Sequence, residues 1–151
     1  FSDGVECESC HVVPAAFSAP THIDGDDEAE LVFGGLAVLN QVTPQWQEDP
    51  RTCTDTYCHG NWELQKSEAN FPTLFIAETM RGEAAEPVWT DPSTVTCGSC
   101  HALPPEGHQP FEITDCHNCH ASVVDGEGNI VDKGKHVNGK INVFSQEFPM
   151  F

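Results

Sequence analysis

Cys97-Gly98-Ser99-Cys100-His101 and Cys116-His117-Asn118-Cys119-His120 spell the pattern C-x-x-C-H twice in close succession. Toward the N-terminus, Cys7-Glu8-Ser9-Cys10-His11 repeats it. Cys53-Thr54-Asp55-Thr56-Tyr57-Cys58-His59 lengthens it to C-x4-C-H. The chain has eight cysteines and eight histidines. Random placement of these residues would give roughly 0.02 matches to C-x-x-C-H, and three occur. The four motifs use every cysteine and leave none over.

Covalent haem attachment needs this spacing. Two thiols add to the two vinyl groups of one porphyrin, and the histidine after the second thiol sits beneath the iron as proximal ligand. The expectation is four haem c groups. Cys7 and Cys10, Cys53 and Cys58, Cys97 and Cys100, and Cys116 and Cys119 attach them, with His11, His59, His101 and His120 proximal. In the long motif, Thr54 to Tyr57 are expected to bulge outward, because the vinyl positions do not move. A disulfide framework also suits an even number of cysteines, but does not explain a histidine after every second one. Structural zinc on paired knuckles leaves the same histidines without a task.

Four histidines remain, His22, His108, His117 and His136, one for each iron. Methionine, the other usual sixth ligand, is present only as Met80 and Met150, too few for four haems. The economical assignment is therefore bis-histidine ligation with these four distal. Reach pairs them. The path around a porphyrin edge is about 25 Å, against ~3.3 Å per extended residue. By that measure His22 completes the first haem and His136 the fourth. His108 is too close to His101 in sequence and falls to the haem of His59, leaving His117 for the haem of His101.

Composition agrees. Formal net charge is −18, from 24 acidic against 6 basic residues. Leu, Ile, Val and Phe make up only about a fifth of the chain, a proportion near the border of disorder. An ordinary aliphatic core is not enough, and apolar haem faces would replace it. So acidic a surface repels nucleic acid and anionic lipid. No apolar run approaches the roughly 18 residues of a membrane span. The N-terminus lacks the layout of a signal peptide, so the expectation is an exported chain whose signal has been removed.

Residues 1–151 read as one domain, with haem-bearing ends and a proline-broken middle. Glu30 to Gly34 reads as a short strand, and Leu74 to Arg81 as the best helix, with Thr73 as N-cap and Gly82 as stop. Asp125 to Asn129 reads as a turn. The acidic run from Asp24 to Glu30 lacks the spacing of a calcium loop and reads as a solvated face. There is also an internal echo. His22-Ile-Asp-Gly and His136-Val-Asn-Gly each follow a C-x-x-C-H and precede a segment ending in Val-Phe.

These motifs, with Pro104-Pro105-x-Gly107-His108 and His136-Val-Asn-Gly-Lys-Ile-Asn-Val143, resemble the multihaem c-type cytochromes of dissimilatory metal-reducing bacteria. That resemblance implies a periplasmic or extracellular electron carrier, some of whose relatives polymerise into conductive filaments. The implied fold is mostly coil and turns, with a few short helices and strands wrapped around stacked haems. Four haems on so short a chain lie close enough to relay electrons without a catalytic side chain, and two imidazoles per iron leave no open position. The function expected is electron transfer to redox proteins or extracellular acceptors. The rivals are a soluble periplasmic shuttle and a small reductase with one open haem. Phe1, Phe144, Phe148, Met150 and Phe151 crowd the termini, so self-association is expected, their apolar surface being buried against another copy.

Overall fold

A computed structural model describes residues 2–20, 25 and 30–150. Among the described residues, six short strands pair as three separate antiparallel ribbons rather than as one sheet. The first joins β1 (Gln45–Gln47) to β2 (Thr52–Thr54), with Trp46 opposite Cys53. The second joins β3 (Glu63–Gln65) to β4 (Thr79–Arg81), with Leu64 opposite Met80. The third is a hairpin of β5 (Lys140–Val143) and β6 (Gln146–Pro149). The only α-helical turn among the described residues is α1 (His117–His120). The other helical segments are 3-10 turns, the longest being Gly35–Gln41 with a kink at Leu39 and Asn40.

Alternation explains the second ribbon. Leu64 on β3 is buried between two exposed neighbours, and Met80 on β4 faces it, so one face of each short strand is apolar. These two and Phe75 form the core, against which Trp62, Ala69, Ile141 and Met150 pack. The same pairing corrects the helix expected over Leu74 to Arg81. The chain makes one 3-10 turn, Pro72–Leu74, capped by Phe71 rather than Thr73, and then runs extended into β4. Pairing with β3 satisfies that backbone and buries Met80, which outweighs the weak local helix preference. Gly82 does not stop a helix; it lets two backbones cross.

The strand expected from Glu30 to Gly34 shrinks to one bridge between Leu31 and His11. The turn over Asp125 to Asn129 is present. The Asp125 carboxylate accepts from the backbone N–H and side-chain amide of Asn129, and less importantly from the Glu127 N–H, which lowers its pKa. Of the acidic run, Asp24 and residues 26–29 lie outside the described residues. No helix among the described residues is long and apolar enough to cross a membrane.

The core is small for the chain. No large side chain among the described residues is fully buried, while Phe17 is 78 % and Trp89 71 % exposed. Side chains alone leave the middle of this protein thin.

Candidate haem sites

The first and fourth motifs share one backbone turn. The His11 N–H donates to the Cys7 carbonyl at 2.9 Å, and the His120 N–H to the Cys116 carbonyl at 2.8 Å. Closing each motif into a helical turn brings its two sulfurs to one side, with the histidine directly after. The long motif is built differently. Cys53 lies on β2, and Cys58 and His59 lie in a separate 3-10 turn, Tyr57–His59. The intervening residues do not all bulge outward as expected. Asp55 is exposed, but Thr56 and Tyr57 are buried, and the Tyr57 hydroxyl donates to the Met150 sulfur. Burial pushes the Tyr57 hydroxyl pKa up.

The histidine rings share a feature that spacing does not reveal. His59 Nδ1 lies 3.1 Å from the Cys53 carbonyl, and His101 Nδ1 3.0 Å from that of Ala102. His108 Nδ1 lies 2.8 Å from the Gln109 carbonyl, His117 Nδ1 2.7 Å from that of Thr114, and His120 Nδ1 2.6 Å from that of Asn142. A carbonyl only accepts, so each Nδ1 carries a proton, and in the neutral ring Nε2 is then the nitrogen with the lone pair. This tautomer and orientation suit an imidazole bound to metal through Nε2. Burial lowers the pKa of His59 and of His120, against the opposing effect of their carbonyl partners. His108 and His101 further oppose protonation of His120. His22 lies outside the described residues.

The motifs are neighbours in chain order. Burial raises the Cys53 thiol pKa, and Cys10 raises it further. Cys58 is pushed up to about 11, by burial first and then by Cys10, Cys100 and Cys53. Cys116 is raised by burial, with Cys97 among the lesser contributors. The second and third motifs are also stitched by backbone. The Glu83 N–H donates to the Cys100 carbonyl at 2.9 Å, and the Ala85 N–H to the His59 carbonyl at 2.8 Å. At Gly60, φ is +93° and an added Cβ would fall 1.7 Å from the Cys100 oxygen, so only glycine fits.

The echo between the two ends is physical. The Val32 N–H donates to the Cys10 carbonyl at 3.1 Å, and the Phe144 N–H to the Cys119 carbonyl at 2.7 Å. Each Val-Phe segment thus lies along the second cysteine of its own motif, offset by one residue between the copies. Reach pairs His136 with His120; in the structure the ring of His136 stands beside that of His101, at a centroid distance of 6.2 Å.

The residues present fit haem. Exposed apolar side chains flank three of the motifs, Val5, Val12 and Val13 at the first, Leu103 at the third, Phe111 and Ile113 at the fourth. A planar apolar group would cover such surfaces. Thr56 Oγ1 and Asn142 Nδ2 are buried without a partner, one inside the long motif and one beside His120. No two of the eight cysteines are joined in a disulfide, and no group of three or more His, Cys, Asp or Glu among the described residues is placed to hold a metal ion by itself. Met80 is in the core and Met150 accepts from Tyr57, so both are engaged elsewhere.

Sequence reasoning missed the neighbours of these rings. Trp62 stands 6.5 Å from His101, and Phe111 5.9 Å from His108. Trp62 follows the long motif at a short interval, which was the one available signal.

Residues 52–101, about a third of the chain, match the family described as Geobacter CxxxxCH...CXXCH motif. The match covers the long motif, the third motif and the stitching between them. It supports a multihaem c-type cytochrome that binds haem c at these motifs and carries electrons. No curated protein and no solved structure matches the chain.

Proposed function

We propose that this protein is a single-domain, four-haem electron-transfer protein working outside the cytoplasm, with every iron held between two histidines. The observation that carries this reading is the set of five rings with Nδ1 bound to a backbone carbonyl. Three belong to motif histidines, and two, His108 and His117, to the predicted distal set. Haem c supplies a reversible one-electron couple when bound. The rest falls to the chain. Each cysteine pair fixes position, each backbone carbonyl fixes a ring, and the stitching at Gly60, Gly82 and Cys100 holds neighbouring sites at one separation. The succession of motifs supports a relay running in chain order. The acidic surface favours partners of positive charge, whether redox proteins or extracellular acceptors.

Intact mass is the direct test. Four haems added to the apoprotein mass, and no free thiol, is the expected result; fewer than four overturns the count. Carbon monoxide added to the reduced protein is expected to change its spectrum little. A large change would reveal an open iron and favour a reductase.

A further inference from the structure

We propose that His136 is the axial partner of His101 on the third haem, the one bonded to Cys97 and Cys100. This rests on the reading of the motifs as haem c sites. The two rings stand with centroids 6.2 Å apart and planes at 70°. Two imidazoles bound to opposite faces of one metal ion have centroids about 6 Å apart, from about 2 Å of metal–nitrogen bond and about 1.1 Å of ring on each side. The separation therefore leaves room for one metal ion between two nitrogens.

The surroundings agree. His101 Nδ1 is bound to the Ala102 carbonyl, which directs Nε2 away from its own backbone. Trp62 lies at a similar distance from His101, but an indole N–H only donates and is no ligand. His136 is held from several sides. Its N–H donates to the Lys133 carbonyl, which also accepts from Asp3, and the Gly139 carbonyl accepts from Met150. An added Cβ at Gly139 would fall 2.5 Å from Leu39, so this loop is pressed against the Gly35–Gln41 turn. His136 also lines a 360 Å³ cleft with Glu8 and Ser9, which places it beside the first motif's turn rather than at the fourth.

The consequence is a long-range clamp. A residue far along the chain from the third motif, tied to the N-terminal segment through Lys133 and Asp3, would close the third iron. That site would then join the beginning, middle and end of the chain.

The test uses the haem-loaded protein. His136→Ala should convert one of four haems to high spin in low-temperature electron paramagnetic resonance, with the haem mass unchanged. All four staying low-spin overturns the proposal. Cys97→Ala/Cys100→Ala identifies the haem. In that three-haem background, His136→Ala should add no high-spin iron, and a new high-spin signal overturns the pairing. If that background does not accumulate, an experimental structure of the unaltered haem-loaded protein decides. His136 Nε2 on the iron of the haem bonded to Cys97 and Cys100 supports the proposal, and any other iron, or none, overturns it. Unaltered protein without haem by mass is a separate result, the failure of the functional reading itself.

Discussion

Gly60 has no room for a side chain, and its position says why a glycine follows His59. An added Cβ would meet the Cys100 oxygen at 1.7 Å, with backbone on both sides of the clash. Gly98 also has positive φ, but a Cβ there makes only ordinary contacts, with the Leu103 side chain at 3.6 Å and the His101 carbonyl oxygen at 3.8 Å. Gly98→Ala should therefore cost about 1–2 kcal/mol from left-handed strain alone. Gly60→Ala should cost more than twice that, because the stitching of two motifs must open. Denaturant unfolding of the two haem-loaded variants measures the difference, and equal midpoints would mean that the crossing contributes nothing. Neither effect is legible from the sequence. Tyr57-Cys58-His59-Gly60 stands out as a string, but a close approach between residues far apart is invisible in it.

At the scale of the element, the long motif is where expectation and structure part most clearly. Strand β2 holds Cys53, the 3-10 turn holds Cys58, and the carbonyl of Thr56 accepts from the N–H groups of both His59 and Asn61 at 3.2 Å. Deleting Asp55 and Thr56 restores C-x-x-C spacing, so all four haems should still attach. The shortened chain should nevertheless unfold about 1–3 kcal/mol more easily, since it loses those bonds and shifts the buried Tyr57. Intact mass and thermal unfolding separate the two effects. Loss of one haem would show that attachment itself requires the longer spacing. Tyr57→Phe is the milder change. It removes only the bond to Met150 and should cost about 1 kcal/mol.

Across the whole molecule, Phe144, Phe148 and Met150, expected to bury against another copy, each also have an intramolecular partner, and Phe144 stays 47 % exposed. Phe71 packs edge-on against both Phe144, at 5.2 Å, and Phe148, at 5.8 Å, and Met150 reaches Tyr57. Phe1 and Phe151 lie outside the described residues. Phe148→Ala should thus lower stability by about 1–3 kcal/mol, a half-buried share of the usual Phe→Ala cost, without changing the association state. Light scattering beside thermal unfolding checks both, and a shift in molecular mass without a shift in Tm would favour the intermolecular reading. Net charge supplies a second expectation. At −18 the folded chain repels itself, so Tm should rise by a few degrees as salt goes from about 0.01 to 0.5 M. Independence from salt would mean that the charges are already compensated.

The sequence by itself determined the chemistry. Eight cysteines in four motifs, each closed by a histidine, read as haem attachment because covalent bonding needs only local spacing, and local spacing is written in the chain. The scarcity of ordinary core and the short elements were legible for the same reason: they follow from composition and from prolines at known positions. Tertiary structure decided the rest. Leu74 to Arg81 has a local pattern that suits a helix, and only the facing strand Glu63–Gln65 turns its end into β4. His136 is within reach of His120 along the chain, and its loop, tied at Lys133 to Asp3 and at Gly139 to Met150, carries its ring beside His101. Reach sets an upper bound on distance, whereas packing selects one arrangement within that bound.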